Sequence, residues 1–101
     1  MNRMIHHLIV FNTRPDVPEA VCHDMASRAR EVLTRIPGVR GVSFGVADAP
    51  QPAYRYLLVV EFAHQDVIRS YRDHPLHGTF ADHMFRPLAV DPITMDYRMV
   101  V

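Results

Sequence analysis

The stretch Ser70-Tyr71-Arg72-Asp73-His74-Pro75-Leu76-His77-Gly78-Thr79-Phe80 brings a phenol, two imidazoles and a proline together in one short segment. Just upstream, Val67, Ile68 and Tyr71 fall at i, i+1 and i+4, which predicts one face of a helix. Pro75 has no N–H to give, and its ring disfavours helical dihedrals at His74, so that helix must stop there. Leu76, Phe80, Met84 and Leu88 then recur every four residues and predict a second helix, with His77 in its first turn. A helix split at Pro75 thus occupies residues 67–88, and the fold depends on what flanks it.

Downstream, Asp91-Pro92 breaks the chain, and Ile93 to Val101 alternates as a strand, Ile93, Met95, Tyr97 and Met99 against Thr94, Asp96 and Arg98. Upstream, Tyr54 to Phe62 is another strand, with Tyr56, Leu58, Val60 and Phe62 alternating against Arg55, Leu57, Val59 and Glu61. The turn-rich Asp48-Ala49-Pro50-Gln51-Pro52 joins it, as a hairpin, to a strand over residues 39–46. There Gly41, Ser43 and Gly45 share a side stripped of bulk, so a bulge or a close backbone approach is expected. Pro37-Gly38 ends a long helix running from about Val17 to Arg35, since glycine tolerates the left-handed dihedral. Its apolar stripe is Val21, Met25, Ala29, Val32, Leu33 and Ile36, with Arg28, Arg30, Glu31 and Arg35 largely off it. Asp16 and Glu19 have capping-box spacing at its start. The first strand, residues 4–11, is apolar on both sides: Ile5, His7, Ile9 and Phe11 against Met4, His6, Leu8 and Val10.

The order is β-α-β-β-α-β, which specifies an α+β fold with a four-stranded antiparallel sheet and helices on one face. With 101 residues, the chain is expected to be a single domain over residues 1–101. Met4, Leu8, Val10, Leu57 and Val59 then have no cover on the other face, and such a patch usually marks an interface. The simplest closure is a homodimer through the sheet face, two sheets packing as a barrel-like sandwich.

Composition removes other partners. Eleven basic and eleven acidic side chains cancel, leaving no footprint for nucleic acid or an anionic membrane surface. No apolar run is long enough to span a bilayer, and the start Met1-Asn2-Arg3-Met4-Ile5-His6-His7 lacks the order of a signal peptide, so a cytoplasmic location is expected. The lone Cys22 forms no internal disulfide and reads as a small buried or half-buried helix residue. His74 reads as part of the turn, His6 as a dimer-face residue, and His23, His64 and His83 as surface residues. His74 and His77, near the His6-His7 pair, are poor metal ligands: Pro75 breaks their helical alignment, and His6 and His7 point to opposite strand faces. No metal and no cofactor is expected, with haem bound through a histidine as a minor alternative.

These residues resemble the stress-responsive α/β-barrel (Dabb) family, within the dimeric α+β barrels. The likeness is carried by His7-Leu8-Ile9-Val10-Phe11, Ile36-Pro37-Gly38-Val39, Tyr71-x-x-His74-Pro75-x-His77-x-x-Phe80 and Asp96-Tyr97. It implies a ferredoxin-like fold, a homodimer, and a pocket between sheet and helices that Ile9, Phe11, Met25, Ala29, Leu58, Val60, Ile68 and Phe80 would line. One enzyme of the family closes a linear polyketide by a cofactor-independent aldol condensation, and its functional groups match His7, Tyr71, His77 and Asp96. Its bulky pocket residues on the first helix correspond here to Met25, Ala26 and Ala29, so a pocket of another shape is implied.

The chemistry suits those residue types. A neutral imidazole at position 77 can take a proton α to a carbonyl, and the Tyr71 phenol can polarise a carbonyl oxygen. Asp96, if turned inward, would accept from the second ring nitrogen of His77, and His7 would be a further polar anchor. Three readings stay open: a cofactor-independent cyclase or lyase acting on a polyketide-like or aromatic carbonyl compound, a small-molecule binding module, and a non-catalytic stress-associated dimer.

Overall fold

The computed structural model describes residues 4–101. Met1 to Arg3, read above for a signal peptide, lie outside the described residues. The elements are β1 (Ile5–Asn12), α1 (Glu19–Leu33), β2 (Val39–Val46), β3 (Tyr56–Phe62), α2 (Val67–Arg72), α3 (Pro75–Phe80), a π turn over Ala81–Phe85, and β4 (Val90–Arg98). The four strands form one antiparallel sheet in the order β2-β3-β1-β4. This is the expected ferredoxin-like α+β arrangement, with the helices on one face. No helix among the described residues is long and apolar enough to cross a membrane.

The helix-facing side of the sheet makes the core. Phe11, Leu58, Val60 and Phe62 are sealed against Cys22, Met25, Ala29, Leu33 and Ile36. Met25, Ala29, Leu33 and Ile36 of the expected stripe are buried, but at the start of α1 Cys22 and Ala26 turn inward and Val21 is 42% exposed. Cys22, Ala26 and Ala29 are small, which lets the helix lie close on the sheet. The capping box does not form. Pro18 holds extended dihedrals at the N-cap, so the first helical residue is Glu19 and no side chain caps it; Asp16 faces Arg14 at 3.6 Å instead.

Gly38 does take the left-handed conformation, at φ 89°. A Cβ there would stand 2.4 Å from Val67 Cγ2, so glycine also lets the start of α2 come this close. The register of β2 slips between Val39 and Gly41, which is a bulge.

Two elements depart from the sequence pattern. Phe80 and Leu88 are buried as the four-residue spacing predicts, but the π turn rotates Ala81 and Phe85 inward as well, and the Phe85 ring meets Phe11 edge-on at 5.1 Å. The last strand starts at Val90 and ends at Arg98, so Asp91-Pro92 lies inside it rather than before it. Asp91 sits at φ 50°, where the pairing with β1 slips between Val10 and Asn12. Aspartate tolerates that conformation, and a proline costs no ladder bond where an edge strand turns an N–H to solvent.

The other face of the sheet is not covered by the helices. Leu8, Val10, Leu57 and Val59 are half-buried there, and Met4, Ile93, Met95 and Tyr97 are exposed, the last three at 46, 51 and 47%. Ser43 and Gly45 of β2 stand opposite Val59 and Leu57 on this side, so its edge is smooth.

Candidate functional site

Sheet and helices part beside the split in the second helix, leaving a cavity of about 440 Å³. Tyr71 comes from the buried side of α2 and His77 from α3, and their ring centroids lie 4.4 Å apart. His7 of β1 stands edge-on to Tyr71 at 5.6 Å and stacks on Phe62 at 5.4 Å. Asp96 of β4 is directly opposite His7 in the register. All four candidate catalytic residues line this one cavity.

Their hydrogen bonding differs from the expected scheme. The Asp96 carboxylate accepts from His7 Nδ1–H at 2.5 Å, not from His77, because register places these two side by side on neighbouring strands. His77 Nδ1–H instead donates to the carbonyl oxygen of Arg72 at 3.1 Å. In an unbroken helix that carbonyl would receive the N–H of Leu76. Here Leu76 N–H goes to His74 Nδ1 at 3.1 Å, so the proline break frees the Arg72 carbonyl for His77. His74 is thereby the N-cap of α3 and a turn residue. Since a carbonyl can only accept, the proton of neutral His77 is fixed on Nδ1, and Nε2 keeps its lone pair.

The surroundings tune both groups. Burial holds the His77 pKa below the ordinary 6.5, and the charges of His7 and Arg86 add to this, partly offset by the Arg72 carbonyl. Burial, and then the charge of Asp96, push the Tyr71 pKa well above its ordinary 10.0. At neutral pH the pair is therefore an unprotonated imidazole beside a protonated phenol. The Tyr71 oxygen has no hydrogen-bond partner among the described residues, yet no buried side-chain oxygen or nitrogen there is orphaned. It must be reachable, and the cavity is what reaches it.

Of the expected lining, Ile9 and Ile68 do border the cavity. Phe11, Met25, Ala29, Leu58, Val60 and Phe80 do not; they are sealed in the core behind it, all at most 5% exposed. The reason is that α1 packs tightly on the sheet, so the space opens at the α2 to β4 end instead. The sequence reading missed Phe62, Arg72, Ala81, Phe85, Arg86, Pro92 and Thr94, which complete the wall. Phe62 and Thr94 share strand faces with Val60 and Asp96 and were open to discovery by alternation. Ala81, Phe85 and Arg86 lie in or beside a π turn, which a four-residue spacing does not reveal. Among the described residues, no three His, Cys, Asp or Glu side chains come together as metal ligands.

Comparison with known proteins gives a family and a set of similar folds. The family model described as Dabb, stress responsive A/B barrel domain, matches residues 5–99. No curated protein matches the sequence. Among solved structures, a Dabb family protein with a ferredoxin-like fold from Mesorhizobium loti is 25% identical at a TM-score of 0.80, covering 98% of this chain and 99% of its own. A dimeric ferredoxin-like protein of unknown function from Thermobifida fusca is 19% identical, TM-score 0.79, over 98% of this chain and 93% of its own. A hydroxynitrile lyase from Passiflora edulis is 12% identical, TM-score 0.82, over 98% and 95%. The last two are likenesses of fold.

Proposed function

Because this chain belongs to the stress responsive A/B barrel domain family, we propose that it is a homodimer whose cavity binds a small apolar or aromatic carbonyl compound and works on it by acid–base chemistry without a cofactor, as a cyclase or lyase. The observation that carries this reading is the contact of a neutral imidazole, its proton fixed on Nδ1, with a phenol held protonated in the same cavity. In the cyclising direction, His77 Nε2 takes a proton from carbon α to one carbonyl. The electron pair so released forms a C–C bond to a second carbonyl carbon, and that carbonyl's π pair moves to its oxygen. The Tyr71 O–H stabilises this oxygen, and the proton held on His77 is returned to it, giving a β-hydroxy ketone. A lyase runs the same steps backwards. His7, oriented by Asp96, anchors the far side of the site. The lyase among the similar folds supports such chemistry on this scaffold.

Proton exchange tests the base directly. Phenylacetone in D₂O, followed by proton NMR, is expected to lose its α-proton signals faster with the protein than without it. His77→Ala should abolish the acceleration, and Tyr71→Phe should lower it roughly 10²-fold, the scale of a lost oxyanion donor. Binding of phenylacetone with no exchange, unaltered by His77→Ala, would leave the binding-module reading in place of the enzyme.

A further inference from the structure

Neither the aromatic pair nor the apolar floor accounts for two guanidinium groups in the cavity wall. Arg72 closes α2, one residue from Tyr71, and Arg86 follows the π turn; both border the cavity and both are largely exposed. Arg72 has no ion pair among the described residues, and Arg86 is bonded to Asp82 on its own helical segment. The negative wall group, Asp96, lies on the sheet side and is already engaged by His7. The helix-side rim therefore carries two guanidinium groups, one of them paired with Asp82, and Ile9 and Phe62 give the cavity an apolar floor on the sheet side, with Ile68 of α2 facing the same space.

From this arrangement we infer that the substrate is an oxo acid: an apolar or aromatic body lies on the floor, its carbonyl meets Tyr71 and His77, and its carboxylate is held by Arg72 and Arg86. The inference rests on the function proposed above and names the substrate class of that same site. Guanidinium is the group whose fork of N–H donors fits a carboxylate, in a charge-assisted bond stronger than one between neutral groups. Arg86 is close enough for its charge to lower the His77 pKa. A carboxylate bound at Arg86, beside the Asp82 already paired with it, would add negative charge near His77 and make it more basic when the substrate is in place, which couples recognition to the proton-transfer step.

Phenylpyruvate and phenylacetone share a phenyl ring and a ketone and differ in carboxylate against methyl, so they isolate the anionic group. Titration of the homodimer, followed by calorimetry and by the histidine ring signals in NMR, is expected to give at least about tenfold tighter binding of phenylpyruvate, the scale of one charge-assisted contact. Salt should weaken phenylpyruvate binding and leave phenylacetone binding unchanged. Arg72→Gln and Arg86→Gln, both at exposed positions, should each remove most of that preference, with folding checked by circular dichroism. Equal affinity for the two compounds, with ring shifts at His77 from both, would overturn the oxo-acid assignment while leaving the carbonyl site standing. Binding of neither would overturn both. A preference for phenylpyruvate that survives Arg72→Gln, Arg86→Gln and the double variant would place the anion elsewhere and also defeat the assignment.

Discussion

His77, the base in the proposed mechanism, donates to a carbonyl that a continuous helix would use for its own ladder. His77 can donate to the Arg72 carbonyl only because Pro75 and the His74 cap take Leu76 N–H out of the helical ladder. With Nδ1 engaged and burial lowering its pKa below 6.5, His77 binds protons less readily folded than unfolded. Its neutral form is favoured by the fold, so this contribution to stability is intact above 6.5 and is lost as pH falls towards the folded value. Exchange activity should accordingly rise through an inflection below pH 6.5 and then stay flat. No alkaline decline from Tyr71 is expected up to pH 10, since its pKa lies above 10.0; a decline removed by Tyr71→Phe would refute the donor role. Asp96→Asn should lower the Tyr71 pKa slightly, visible in tyrosinate absorbance, because Asp96 is the lesser cause of the shift and burial the greater.

Elements respond to backbone conformation more than to side-chain chemistry. Gly38→Ala imposes a Cβ on a left-handed residue and drives it against Val67. It should cost more than about 1–2 kcal/mol, the penalty of the conformation alone, read as a lower midpoint in urea. At Asp91, φ 50° makes valine the damaging choice. Asp91→Val should destabilise by about 1–3 kcal/mol, whereas Asp91→Gly should stay within about 1 kcal/mol of the parent; similar losses for both would point to the side chain instead. The π turn belongs to this scale too. It adds one residue to the helical repeat, so Phe80 and Phe85 both reach the core and Arg86 is carried to the cavity rim.

At the scale of the whole molecule, the open sheet face asks for a second copy. Leu57 and Val59 lie half-buried on it beside exposed Ile93, Met95 and Tyr97. In a homodimer closed there, Leu57→Asp would bury an unpaired charge and should weaken association by roughly 3–5 kcal/mol, giving monomers in sedimentation at micromolar concentration. Asp24→Lys, on the exposed side of α1, should leave the dimer unchanged. Arg30 is a poor control despite its place off the apolar stripe, since its Nε–H donates to the Val42 carbonyl and ties α1 to β2. A parent chain that sediments as a stable monomer would defeat the assembly.

The order of elements, the split at Pro75, the inward face of β1 and the convergence of Tyr71 with His77 were all determined by the sequence, because alternation, helical spacing and the missing proline N–H act between residues close in the chain. The partner of Asp96 was decided elsewhere. Residues 7 and 96 meet only through the β1–β4 register, so no local pattern could choose His7 over His77. The cavity's position was likewise tertiary: which apolar residues end as floor and which are sealed depends on how closely α1 settles on the sheet, and that follows from Cys22, Ala26 and Ala29 acting together with the strands beneath them. Pro18 and Asp91 show the same division at single residues. Each is readable as a break in the sequence, but whether it ends an element, starts one or bulges inside one was settled by the neighbouring strands and the hydrogen bonds they had to offer.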